Sequence, residues 1–327
     1  MRIAARELLH AGYGHYALGA FNVCNLEQMH GLFRGATQAR APIIVQFTRV
    51  MRDYAQPLML EHLLRGAESI YPDVTFAVHH DHGDESSCVD AVNSGHYSSV
   101  MIDASHLPFE ENIAATKRVV ELAHNRGVMV EAELGQLTGV EDEMPSEVQN
   151  AIMTEPANAQ EFVERTGCDS LAVAIGTSHG AYKFTGNQRL LLDRLAEIQR
   201  RLPSFPLVLH GGSAVPKREV ERINLAGGTL AESASGVSEA DVRQAIKLGI
   251  TKVNLATDGR LIWTRVHREF FRDRPGEFDF MPPGRTYMKD FAEYVAAKCE
   301  SLGSGEKANH PALSKEHSVA ASAAVHS

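Results

Sequence analysis

The 327-residue sequence has few cysteines, no long apolar run and no excess of positive charge. Its four cysteines, Cys24, Cys88, Cys168 and Cys299, are scattered and form no C-x-x-C pair. That spacing excludes a dense disulfide framework and suits free thiols in a reducing compartment. No stretch approaches the ~18 consecutive apolar residues of a membrane helix, so no membrane partner is expected. The opening residues Met1-Arg-Ile-Ala-Ala-Arg-Glu-Leu-Leu carry charge through a helical pattern and do not read as a signal peptide; a cytoplasmic protein is expected. A net charge of −9 argues against nucleic acid or an acidic membrane surface as the main partner. Any anionic substrate must therefore be held by a local cluster. A G-x-G-x-x-G turn after the first strand, the usual mark of an open doubly wound sheet, is also missing.

What is present is alternation. Eight short β-rich apolar runs can be counted, at Tyr16–Val23, Pro42–Thr48, Thr75–His82, Val100–Ser105, Met129–Gly135, Ser170–Gly176, Pro206–Gly212 and Lys252–Asp258. Segments of helical period lie between them, among them Leu26–Arg40, Gln56–Ile70, Glu110–Arg126, Gln160–Thr166, Asn187–Arg201 and Glu239–Leu248, and a last helix is expected from Arg285 to Leu302. Near-continuous apolar strands separated by helices indicate a parallel sheet covered by helices. Eight such units predict an α/β fold closed into a (β/α)8 TIM barrel, which commonly runs past about 250 residues as one domain. The expected domain is 1–303. Residues 304–327 are small, polar and His-dotted, and are expected to form a disordered tail.

Polar residues gather at the C-terminal end of each run: Asn22 and Asn25, Thr48 and Arg49, Asp81 and His82, Asp103 and Ser105, Glu131 and Glu133, His179, His210, then Asn254, Thr257 and Asp258. Barrel enzymes place their active sites at that rim. Around Phe76-Ala-Val-His-His-Asp-His-Gly83 the pattern is densest, and His-Gly recurs at His179-Gly180 and His210-Gly211. Histidine is the commonest zinc ligand, and three strand ends of this kind exceed what core packing requires. A structural reading of the same histidines, as hydrogen-bonded turns, stays open. The long acidic stretch from Gln136 to Asn150 reads either as an active-site loop or as a solvated excursion.

Taken together these motifs resemble the class II, zinc-dependent ketose-bisphosphate aldolases, the fructose- and tagatose-bisphosphate aldolase family. The resemblance runs from about Gly19 to Ala308. It rests on Asp81-His-Gly83, Asp103-Ala-Ser-His106-Leu-Pro with Glu110-Glu-Asn112, Glu131-Ala-Glu133-Leu-Gly135, Gly176-Thr-Ser-His179-Gly180, His210-Gly-Gly-Ser213 and Asn254-Leu-Ala-Thr-Asp258. It implies reversible cleavage of a ketose bisphosphate to dihydroxyacetone phosphate and an aldehyde. It implies His82, His179 and His210 as zinc ligands, with Asp103 and Glu133 able to hold the metal in an alternative position, and a monovalent cation as a further candidate. Asp81 would be the acid/base on the C4 oxygen, and Glu141 the mobile carboxylate that exchanges the C3 proton. Asn22, Thr48, Gly180, Lys183, Gly211, Gly212, Ser213, Asn254, Thr257 and Arg260 would bind the substrate. The family resemblance also leads us to expect a homodimer or homotetramer.

Three positions depart from the pattern. Ala256 stands where fructose-bisphosphate members commonly have Asp and tagatose-bisphosphate members Ala, which leaves the sugar open. Phe278-Asp-Phe-Met281 replaces an Asp-Pro-Arg run whose arginine reaches a neighbouring subunit, a role for which Arg285 is the substitute candidate. His80 replaces the usual Leu. A metal-dependent hydrolase on the same barrel, or a non-catalytic sugar-phosphate binding protein, are the competing readings; the first gives no reason for the Gly/Ser cradle and Asn254, the second none for Asp81, Glu141 and the three histidines.

Overall fold

The computed structural model describes residues 1–136, 138–141, 144–145, 152–179, 190–233 and 235–308, with the side chains of 138–141, 144–145 and 178–179 left aside. Eight parallel strands close into one barrel: β1 (Leu18–Asn22), β2 (Ile43–Thr48), β3 (Phe76–Gly83), β4 (Ser99–Ile102), β5 (Met129–Leu134), β6 (Ser170–Val173), β7 (Leu207–Leu209) and β8 (Ile250–Leu255). Each pairs with its sequence neighbours, and β1 pairs with β8 to complete the ring, Leu18 opposite Lys252 and Ala20 opposite Asn254. The expected (β/α)8 architecture is the one observed.

Alternation along each strand sorts the residues. Ile43, Val45, Phe47, Phe76 and Val78 face outward into the large apolar layer under the helices. Leu18, Ala20, Ile44, Ala77 and Met129 face inward at the N-terminal end, where Leu8 and Leu9 of the helix Ala5–Gly12 plug the barrel. Above this apolar floor the inward positions turn polar: His79 and Asp81 on β3, Glu131 and Glu133 on β5, Lys252 and Asn254 on β8, all of them buried. The core thus holds the bottom of the barrel together and leaves the top for chemistry.

The helices begin and end where local chemistry dictates. Asn25 caps the helix Leu26–Ala39 by accepting from the Gln28 N–H, and Asp84 does the same for Glu85–Ser94 through the Ser87 N–H, both at 2.8 Å. β8 stops at Leu255, so the expected strand end at Asp258 is corrected: Thr257 opens the helix Thr257–Asp273. The expected tail also begins too early. Ser304 is buried, and the Glu306 and Ala308 N–H groups donate to the Ala39 and Arg40 carbonyls, each at 2.9 Å, satisfying the end of the helix Leu26–Ala39. Residues 309–327 lie outside the described residues.

That helix lies against the last one, Met281–Ser301, at close range. A Cβ on Gly35 would sit 2.5 Å from the Ala292 carbonyl oxygen and 2.6 Å from Val295 Cβ, so backbone would have to move to admit it. Gly35→Ala is expected to lower the free energy of unfolding by about 1–3 kcal/mol through overpacking, despite alanine's better helix propensity. Denaturant melts of the two proteins would check this, and equal midpoints would mean that the two helices can separate without penalty.

Candidate active site

The site is built on an irregularity in β3. Strict alternation would send Asp81 and His82 to opposite faces, but the register with β4 shifts between His80 and Gly83, and His82 adopts a left-handed φ of +45°. The bulge re-aims His82 toward the rim beside its neighbour. A non-glycine residue in that conformation is strained, and here the strain accompanies a hydrogen bond. His82 Nδ1–H donates to Asp103 Oδ2 at 2.9 Å, and the Asp103 N–H in turn donates to the Gly83 carbonyl at 2.8 Å. Burial works against the Asp103 charge, but hydrogen bonds from His82 and Ser105 outweigh it and hold this carboxyl well below its usual range.

Asp81 lies at the centre and is fully buried. Three side-chain amides donate to it: Asn22 Nδ2 at 2.9 Å and Gln46 Nε2 at 3.1 Å on Oδ2, and Asn254 Nδ2 at 3.0 Å on Oδ1. Gln46 also donates to Asn22 Oδ1 at 2.7 Å, which fixes the orientation of both amides. Sequence reasoning named Asn22 and Asn254 but missed Gln46. The available signal was its place as the one polar residue inside the run Ile43-Ile-Val-Gln-Phe47, at an inward position of the pleat.

His210 follows β7 and is also buried. Its Nε2–H donates to Glu131 Oε1 at 3.0 Å, which leaves the lone pair on Nδ1, 3.8 Å from Glu133 Oε2. The rings of His82 and His210 meet edge to face with centroids 4.6 Å apart. Glu131, expected at the rim, sits a layer deeper. There it takes a hydrogen bond of 2.8 Å from Lys252 Nζ, and Lys252 also lies 3.2 Å from His79 Nε2. Burial opposes ionisation of Glu131, yet Lys252 and the His210 hydrogen bond hold its carboxyl well below the ordinary range. Lys252 was a second residue the sequence reading passed over, because a lysine in an apolar strand carries no motif.

One ligand atom from each of Asp81, His82 and His210 lie within 4.8 Å of one another, and so do atoms of His82, Asp103 and Glu133. Each imidazole has one nitrogen oriented by a carboxylate, the arrangement that fixes the tautomer of metal-bound histidine. The donor set therefore fits a metal ion. His179 and Glu141 fall on short strands, Ser178–His179 and Thr138–Glu141, whose backbones pair in parallel with Gly139 opposite His179. The long loop after β5 is thus tied by its main chain to the loop after β6, while the side chains of both residues lie outside the described part. Gly180 and Lys183 lie outside the described residues.

The remaining candidates lie at or just after strand ends. Gly211, Gly212 and Ser213 form the turn after β7, and Arg260 is exposed on the first turn of Thr257–Asp273, within electrostatic reach of Cys24. Thr48 has a local duty: its hydroxyl caps the helix Arg49–Ala55 by accepting from the Met51 N–H at 3.2 Å.

The family model for fructose-bisphosphate aldolase class-II matches residues 4–307. The chain belongs to that family. A fructose-bisphosphate aldolase of Giardia intestinalis is 41% identical over 322 residues, covering 96% of this chain and 97% of its own. One from Thermus caldophilus is 43% identical over 293 residues, covering 88% and 93%. Among solved structures, the YdjI aldolase of Escherichia coli K12 superposes with a TM-score of 0.74 at 30% identity, covering 94% of this chain and 100% of that one. It is a class II aldolase, a lyase of carbohydrate metabolism. Among the described residues, no helix is long and apolar enough to cross a membrane.

Two buried imidazoles of β3 lie outside the donor set and give this aldolase a pH dependence. His79 Nδ1–H donates to Ser99 Oγ at 2.7 Å, and burial with Lys252 close by lowers its pKa to about 3. His80 points outward, donating from Nδ1 to the Phe47 carbonyl and accepting at Nε2 from the Ser87 hydroxyl, both at 3.1 Å; burial, then Arg52, lowers its pKa to about 4. Both folded values lie below the unfolded one of ~6.5. Below pH 6.5 the unfolded chain therefore binds protons that the folded chain refuses, and stability falls as pH falls toward 4. Each imidazole accounts for about 2 kcal/mol between pH 7 and 5. His80→Leu should remove its share, so the change in unfolding free energy from pH 7 to 5 should be smaller in the variant by that amount. Equal changes in the two proteins would show that His80 titrates normally in the fold.

Proposed function

We propose that this aldolase catalyses the reversible cleavage of fructose 1,6-bisphosphate to dihydroxyacetone phosphate and glyceraldehyde 3-phosphate, with zinc held by His82, His179 and His210. The observation that carries this reading is the buried Asp81 carboxylate, braced by three amides and with an oxygen within 4.8 Å of two oriented imidazoles. The names of the relatives support the same substrate.

Bound zinc would supply a Lewis acid to polarise the C2 carbonyl. In the cleavage direction Asp81 takes the proton of the C4 hydroxyl as the C3–C4 bond breaks, and the C4 carbon leaves as the aldehyde. The bonding electron pair stays with C3. Glu141 then delivers a proton to C3, completing dihydroxyacetone phosphate, and the reverse sequence gives condensation. Asn22, Gln46 and Asn254 keep the Asp81 oxygens in a fixed direction through both proton transfers, so little reorganisation accompanies the reaction. Asp103 and Glu131 orient His82 and His210. Gly180, Gly211, Gly212 and Ser213 would hold a phosphate through main-chain N–H groups, with Lys183 and Arg260 as charged contacts for the two ends of the substrate.

The test is dihydroxyacetone phosphate release from fructose 1,6-bisphosphate, lost on chelation and restored by zinc. Asp81→Ala should retain stoichiometric zinc and lose cleavage by on the order of a hundredfold or more. Glu141→Ala should mainly slow exchange of the C3 proton. Release of inorganic phosphate in place of the triose would instead indicate a hydrolase.

Sugar preference turns on Ala256, which precedes the helix Thr257–Asp273 and offers no side-chain hydrogen bond. Fructose and tagatose bisphosphates differ in configuration at C4, and one hydrogen bond given to a single epimer is worth roughly 1–3 kcal/mol. Tagatose 1,6-bisphosphate should accordingly be an appreciable substrate, with Ala256→Asp shifting the kcat/KM ratio toward fructose. An unchanged ratio would show that residue 256 does not read the C4 centre.

A further inference from the structure

The turn after β7 is gripped from two sides by groups that take no part in the chemistry above. From one side, Asp258 accepts the Ala214 N–H on Oδ2 at 3.0 Å and the Val215 N–H on Oδ1 at 2.8 Å. From the other, the Gly236 and Val237 N–H groups donate to the Ala214 and Ser213 carbonyls at 3.0 and 3.3 Å. This second approach is close enough that a Cβ on residue 236 would lie 1.9 Å from the Ser213 carbonyl oxygen. Between the two grips Val215 is held at a φ of +47°, a conformation that β-branched residues adopt only when their surroundings enforce it.

Asp258 is itself 1% exposed. A buried carboxylate beside a site for an anion would be a liability unless its charge were fully met. It is met by the two amides, by its place in the first turn of the helix Thr257–Asp273, and by the Tyr294 hydroxyl, which donates to Oδ2 at 2.9 Å from the last helix. Burial, reinforced by the Asp258 charge, raises the Tyr294 pKa well above its ordinary value, so the hydroxyl keeps its proton and remains a donor.

We propose that Asp258 and Tyr294 are positioning residues of a phosphate subsite at this turn: by occupying the Ala214 and Val215 amides they set the direction of the Gly211–Ser213 peptide groups that meet the anion. The proposal rests on reading that turn as a phosphate cradle. It links the affinity of the site to the last helix, whose Tyr294 hydroxyl reaches the loop through Asp258.

The experiment compares zinc-loaded wild type, Tyr294→Phe and Asp258→Asn for kcat, for KM with fructose 1,6-bisphosphate and for competitive inhibition by inorganic phosphate. Tyr294→Phe should raise KM and the phosphate inhibition constant together by about threefold with a smaller change in kcat, and Asp258→Asn should raise both by about tenfold or more. Zinc content should not change. If Asp258→Asn does not fold, Tyr294→Phe decides the matter by itself. Active variants whose phosphate inhibition matches wild type, whatever their thermal stability, would overturn the proposal and assign the pair to packing alone. A wild-type enzyme that cleaves the bisphosphate without being inhibited by phosphate would overturn the reading of the turn and the proposal with it. A wild-type enzyme with no cleavage activity would overturn the functional reading first.

Discussion

A closed barrel excludes water from its axis, and every charge placed there must find its partners inside. Asp81 and Glu131 are the two carboxylates on which this constraint falls hardest, both buried and both inward on neighbouring layers. Asp81 is met by three neutral amides, and Glu131 by Lys252 and His210. Removing one partner of a buried pair such as Lys252 and Glu131 costs about 3–5 kcal/mol, because the remaining charge cannot reach water. The hydrogen bonds that orient the candidate ligands are therefore also ones that keep the fold intact.

The polar layers are possible because the apolar work is done elsewhere. The floor of Leu18, Ala20, Ile44, Ala77 and Met129 is closed by Leu8 and Leu9, and a large apolar layer lies under the helices. Stability is concentrated at the bottom and the periphery, and the top of the barrel is left to carry strain such as the left-handed His82. The chain on either side of the centre is tied down through its backbone. The loop after β5 pairs with the loop after β6, and the turn after β7 is held by Asp258. Any anion held through main-chain N–H groups would depend on such ties, since a peptide group has no side chain by which to adjust.

Much of this was legible in the sequence for a specific reason. A strand of a closed parallel barrel is buried on both faces, so it is written as a continuous apolar run, and polar residues can follow only where the strand leaves the sheet. That rule located all eight strands and put Asp81, His82, Asp103, Glu133, His210 and Asn254 at one rim. It failed where polar residues lie inside the barrel. Gln46 and Lys252 occupy inward positions of otherwise apolar strands, and nothing in their own segments tells what faces them across the axis. Thr257 looks like a strand end in the sequence because hydroxyl and carboxylate residues suit a rim as well as a helix start.

By itself, then, the sequence determined the alternation of strand and helix, the closure it implies and the set of residue types delivered to the rim, because these follow from period and composition along the chain. Tertiary structure decided which of those residues meet. The bulge that turns His82 toward Asp103, the pairing of Glu131 with Lys252 across the barrel, and the reach of Asp258 to the turn after β7 all join residues 21 or more positions apart. Contacts of that kind are set by the register of strands around a closed ring. No local pattern records them, because the partner that satisfies a buried charge is chosen by position in space and not by position in the chain.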